Sequence, residues 1–296
     1  MNEEVSAPLI SIIIPVFNHA AYVADCLNSI LADDYPNKEI IILNDGSTDG
    51  SAEVIRDWIL QNSNSKNIVH VIFLTQENKG ICAGLNSMIA RAKGEYIRPL
   101  AGDDRLIPGM LKQHLQFLQA HPTKLVAFAD ARVIDNDGGI IKASALTEHL
   151  SHHKSSFLSE KLLKNTIILK GKIIPNLLIK KIFYDDFHYP VELIMEDNYF
   201  LLTAIAKTQL VFFDAVVADY RVHGANLSYK IAFNEPVERT KKRLKINRSL
   251  LQSYQKTYSS FIGFDKILVL YAWFKIFIKI SILKAILIFK EIFKSN

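Results

Sequence analysis

Residues 9–16 form a short β-branched apolar run with Pro15 near its end, the pattern of a strand buried on both faces. Over residues 20–32 the period changes: Tyr22, Val23, Cys26, Leu27, Ile30 and Leu31 fall on one helical face. The same alternation recurs. A strand over 39–43 precedes a helix over 51–60, for which Ser47 or Asp49 is a candidate N-cap. A strand over 69–74 precedes a helix over 81–92, and a strand over 95–100 precedes a helix that Pro108 opens and that runs to about residue 119. Strands alternating with helices at this spacing predict an α/β fold, a Rossmann-like, mostly parallel sheet with helices on both faces. After 126–128 the rhythm changes through the turn Asn136-Asp137-Gly138-Gly139 and a polar stretch, 147–159, that reads as a mobile loop; a helix over 195–206 and a strand over 210–213 follow.

From 261 to 293 the chain is mainly apolar, with Lys266, Lys275, Lys279, Lys284 and Lys290 set into it. No uninterrupted run reaches the roughly 18–20 apolar residues of a spanning helix. Lys275, Lys279, Lys290 and Lys294 share one arc of a helical wheel, whereas Lys266 and Lys284 fall opposite. An in-plane helix on an anionic membrane surface fits this pattern; a helix packed on the domain or on a second copy is the alternative.

Charge sharpens the division. The formal net charge is +5, but residues 229–296 carry 14 basic and 4 acidic side chains. Few aromatics in that tail are interleaved with arginine, so lipid is favoured over nucleic acid. Cys26 and Cys82 lack both disulfide-framework and metal-ligand spacing, and the start of the chain has no positive n-region, so a cytoplasmic protein, peripheral at the cytoplasmic face of the membrane, is expected.

The candidate chemistry lies at strand ends. Asp103 and Asp104 follow an apolar strand and Gly102, placing two carboxylates where open α/β sheets bind ligands; a divalent cation carrying a phosphate is the natural occupant. Either acid could also serve the helix near Pro108 through its dipole. Asp45 precedes Gly46 at the same predicted edge, although Asp-Gly is also a common turn dipeptide. Glu196 and Asp197 open a helix, as caps or as general-base candidates. Arg221 and His223 close the last strand; with Asp103, His223 could complete a metal site, and its nitrogen would favour Mn²⁺ over Mg²⁺.

Taken in order, these segments resemble glycosyltransferase family 2, with its GT-A fold, over about residues 9–228. Residues 11–18 resemble the family's opening strand, 44–49 its Asp-Gly-Ser loop, and Asn78-Lys79-Gly80 through Asn86 its third unit. Gly94-Glu95-Tyr96-Ile97 leading to Asp103-Asp104 resembles the metal-motif strand, Glu196-Asp197 the catalytic acid pair, and Arg221-Val222-His223 with Asn226 and Ser228 the closing segment. The resemblance implies a GT-A domain over 1–228, with a nucleotide-sugar half over 1–105 and an acceptor half over 106–228, followed by the basic helical tail over 229–296. It implies an inverting enzyme that uses a UDP-sugar and Mn²⁺ or Mg²⁺, with a saccharide or lipid-linked saccharide as acceptor, in bacterial surface polysaccharide or lipopolysaccharide assembly. Pro15, Phe17, Asn18, Asp45, Asn78, Gly80, Asp104 and Arg221 would meet the donor, Asp103 and His223 the metal, and Asp197 with Glu196 the acceptor hydroxyl. Ala101 stands where many members carry the first acid of an Asp-x-Asp triplet, Asn44 replaces an acid, and Gly84 an alanine. A sugar-phosphate nucleotidyltransferase is expected to carry a Gly-rich basic loop after its first strand, and here that loop is Phe17-Asn18-His19-Ala20. A non-catalytic membrane adaptor of the same fold is the third reading.

Overall fold

The computed structural model describes residues 7–62, 68–170, 173–174, 176–224 and 236–292. Asn226, Ser228 and the boundary expected at 228 lie outside the described residues. The order is β1 (Ile10–Val16), α1 (Val23–Ala32), β2 (Lys38–Asp45), α2 (Ser51–Asn62), β3 (Ile68–Gln76), α3 (Ile81–Ile89), β4 (Tyr96–Pro99), β5 (Arg105–Leu106) and α4 (Met110–Gln119). Then come β6 (Val126–Ile134), β7 (Ile140–Lys142), α5 (Glu160–Lys170), β8 (Asn176–Lys180), α6 (Asp197–Ala206), β9 (Leu210–Arg221), α7 (Pro236–Thr257) and α8 (Gly263–Ile292).

One sheet runs through the molecule in the order β3-β2-β1-β4-β8-β6-β9-β5, with β7 paired to β6. The first four strands in space are parallel, β8 is antiparallel to both its neighbours, and β6 and β9 are again parallel. The continuous apolar runs of β1 and β2 follow from burial on both sides. Ile13, Ile41, Leu43 and Ile97 pack into the core under α3, α5 and α6, while Ile12, Ile14, Ile40 and Ile42 pack under α1, α2 and α4.

Differences from the sequence pattern have local causes. The stretch expected as a mobile loop holds two short helical turns, Ala145–His149 and Lys154–Phe157, pinned by buried Leu146 and Phe157. The last strand extends to Arg221 because it pairs with β6 through two register shifts, which break its inside–outside alternation. At α2, Asp49 rather than Ser47 caps the helix, its carboxylate accepting from Ser51 N at 3.1 Å. The tail is a hairpin of two helices docked on the body: Phe261, Val269 and Ala272 join the main core, Tyr254 Oη donates to Ile168 O at 2.6 Å, and Lys164 pairs with Asp265 at 2.5 Å.

Candidate active site

Strand register brings the predicted groups to one edge. Val16 pairs with Asn44, so the loops after β1 and β2 leave the sheet side by side. After β4, Leu100 N donates to Ile13 O and Gly102 N to Pro15 O, carrying residues 101–104 along the end of β1. A Cβ on Gly102 would stand 2.9 Å from Val16 and 3.1 Å from His19, so glycine permits this close passage.

The first three βα loops lock together. Asp45 accepts from Gln76 Nε2 (2.7 Å), Lys79 N (2.9 Å) and Gly80 N (3.0 Å). Gly46, at φ +74°, leaves room for the Asn78 backbone, whose nitrogen would lie 2.7 Å from a Cβ there. Asn18 donates its backbone N–H to Ser47 Oγ and accepts from Thr48 N, both at 2.9 Å. Asp45 and Asn18 therefore brace the loops after β1, β2 and β3 against one another, with Gly80 at the foot of α3. Phe17 projects from them 47% exposed, a flat apolar surface beside Pro15.

Asp103 is the hub. Its Oδ2 accepts from His223 Nε2 at 2.9 Å and lies 3.8 Å from His19 Nε2. Burial pushes this carboxyl up, but the His223 hydrogen bond and the two imidazoles outweigh it and hold it below the usual carboxylate range. Asp104 behaves oppositely: burial, then the charge of Asp103, pushes it well up, and its Oδ1 accepts from Arg221 N at 2.9 Å. The adjacent acids thus divide, one ionised and one inclined to hold its proton. Burial, partly offset by Asp103, lowers the His19 imidazole, whose Nδ1 is buried without a hydrogen-bond partner.

Arg221, expected to meet the donor, is drawn into the edge by its own hydrogen bonds. The side chain is 2% exposed, and its guanidinium donates to Asp103 O (2.9 Å), Asp135 O (3.1 Å), Asn136 O (2.8 Å) and the Asp25 carboxylate. It is a clamp holding the edge together. Tyr22 lies between its cation, 5.1 Å from the ring, and the His223 ring at 4.6 Å. Sequence reasoning missed Tyr22 and gave His19 no role; the available signal was an imidazole placed directly after the first strand.

Across the edge, Glu196 and Asp197 begin α6. Burial pushes both carboxyls up; for Asp197 the shift is large, with further contributions from the charge and hydrogen bond of Glu196 and from the charge of Asp104. The Asp104 interaction ties this pair to the Asp103 side. The preceding backbone is fixed from the tail, because Ser249 Oγ on α7 accepts from Ile194 N and Met195 N at 3.2 Å each.

Among the described residues no three His, Cys, Asp or Glu side chains are arranged to hold a metal ion. Asp103 and His223 offer one carboxylate and one imidazole, donor types that suit a divalent ion shared with a diphosphate, and both are buried, at 6% and 5% exposure.

A parallel α/β sheet with its acids gathered at the carboxyl edge, extended by a mixed second half, defines an α/β glycosyltransferase of GT-A type. Residues 11–182 match Glycosyl transferase family 2, and the chain belongs to that family. It is 29% identical over 228 residues to the uncharacterized glycosyltransferase RT0329 of Rickettsia typhi, covering 76% of this chain and 67% of the relative. It is 31% identical over 161 residues to a Bacillus subtilis glycosyltransferase named for teichuronic acid biosynthesis, TuaG, covering 54% of this chain and 59% of that protein. In fold it is similar to S. aureus TarS in complex with UDP-GlcNAc (TM-score 0.58, 18% identity, 85% of this chain and 71% of that one). It is also similar to the Pyrobaculum calidifontis mannosyltransferase PcManGT in complex with GDP-Man and Mn²⁺ (TM-score 0.64, 17% identity, 91% and 70%).

Proposed function

We propose that this protein transfers a sugar, with inversion, from a nucleoside diphosphate sugar to a saccharide hydroxyl, with UDP as the nucleotide and surface polysaccharide as the product class. This reading is supported above all by the Asp103–His223 hydrogen bond at 2.9 Å beside Asp104, whose charge also reaches Asp197 at the start of α6. Phe17 and Pro15 offer a face for the base, while Asp45 holds the loop at Asn78–Gly80 against it. Asp103 and His223 would hold Mn²⁺ or Mg²⁺, which would offset charge gathering on the departing diphosphate. Asp197 removes the proton from the acceptor hydroxyl as its oxygen attacks the anomeric carbon from the face opposite the leaving group. Glu196 orients Asp197. The family match leaves no support for the nucleotidyltransferase reading, and measured transfer would dispose of the adaptor.

The test is a transfer assay over a panel of nucleotide sugars with Mn²⁺, paired with thermal shift. Asp197→Asn should lower turnover by about 10²–10⁴-fold while the donor-induced rise in Tm survives. Wild-type turnover in that variant would remove Asp197 from the role of base.

A further inference from the structure

Helix α8 has two apolar faces, and among the described residues one of them packs on the rest of the protein. Val269, Ala272, Ile280 and Leu283 are buried against the body and α7. Phe264, Ile267, Tyr271, Phe274 and Ile278 lie on the other face, between 43% and 67% exposed. At 100° per residue the exposed large apolar side chains of α8 span an arc of about 180°. Four lysines sit at the two seams between the faces, Lys275 and Lys279 along one and Lys266 and Lys284 along the other, while Lys290 turns to α7 and donates to Thr240 Oγ1 at 3.4 Å. This resolves the apparent irregularity of the sequence pattern, in which the lysines fall on opposite sides of the wheel: they border the open face on both flanks.

We propose that this face docks in the plane of an anionic lipid bilayer, its aromatic and aliphatic side chains entering the acyl boundary and both lysine rows reaching lipid phosphates. Charge complementarity selects this occupant over a second copy of the chain. Among the residues of α8 with described side chains the acid is Asp265, which is bound to Lys164 and lies outside the open arc. Two copies joined through it would bring lysine rows together with no carboxylate on the arc to pair them, whereas an anionic leaflet supplies the counter-charge. No helix among the described residues is long and apolar enough to cross a membrane, which agrees with a helix lying in the surface. The basic start of α7 adds to the field: Lys241, Lys242, Arg243, Lys245 and Arg248 precede or follow Leu244, which packs on Ile280 and Leu283 in the second half of α8.

The experiment is co-sedimentation of the full chain with vesicles of phosphatidylcholine alone, or of equal parts phosphatidylcholine and phosphatidylglycerol. Binding to the anionic vesicles should exceed binding to the neutral ones at least tenfold and should fall with added salt. The double variant Phe274→Ser, Ile278→Ser, altered only at exposed positions, should lose at least tenfold in anionic-vesicle binding while keeping its Tm and its donor-induced thermal shift. A second double variant, Lys275→Gln with Lys284→Gln, takes one charge from each seam and should weaken binding and flatten its salt dependence. Failure to sediment with anionic vesicles, full binding by the serine variant, or a lipid-independent dimer that this variant dissolves would each overturn the proposal. Because vesicle binding needs no turnover, its outcome stands apart from that of the transfer assay.

Discussion

At the scale of single residues, the site depends on environments that separate chemically similar groups. Asp103 and Asp104 are neighbours in the chain, but hydrogen bonding from His223 favours the charged form of one, while burial beside that charge favours the neutral form of the other. Asp197 is pushed up by burial and by Glu196, and a base works only when deprotonated. The kcat–pH profile should therefore fall on its acidic side at a midpoint above the ordinary carboxylate range, with apparent values belonging to the Glu196–Asp197 pair. A limb at the usual aspartate position would contradict this environment. Motif spacing exposed Asp45, Asp103, Asp197 and His223, which share a strand-end or helix-start position with a turn signal nearby. It could not expose the inward path of Arg221, because that depends on Asp25 and on two carbonyls of the β6–β7 turn, all remote in the chain.

At the scale of elements, regular segments were legible wherever one periodicity ran without interruption: β1 and β2, covered on both faces, and the helices α1 to α4 follow the apolar pattern, while β3 stands at the sheet edge and is only partly buried. The second half was less legible. β5 is two residues long and β8 five, too short to show a period, and α5 follows a polar stretch without a clear apolar stripe. The relation of α7 to the Glu196–Asp197 pair is a tertiary fact, carried by the Ser249 hydroxyl and its two backbone donors. Ser249→Ala should cost about 1 kcal/mol of stability and lower kcat by roughly tenfold through misplacement of Asp197, with the donor KM unchanged. Denaturant titration and steady-state kinetics would check the two effects separately, and an unaltered kcat would make Ser249 purely structural.

At the scale of the molecule, Arg221 joins four segments: α1 through Asp25, the loop after β4 through Asp103, the β6–β7 turn through Asp135 and Asn136, and β9 on which it sits. Arg221→Met would leave three carbonyls without this donor and should destabilise the fold by about 3 kcal/mol, read as a lower urea midpoint at constant slope. Loss of donor binding at unchanged stability would instead give Arg221 a direct role in the cleft. The clasp of Ser249 on the backbone before Glu196 has a practical consequence. Cutting the chain ahead of α7 would remove the support of the backbone before Glu196 and uncover the partners of Phe261, Val269 and Ala272 in the main core. A shortened protein that lost activity would report a collapsed floor, not a lost anchor, and membrane attachment has to be separated from catalysis by changing side chains on the open face of α8.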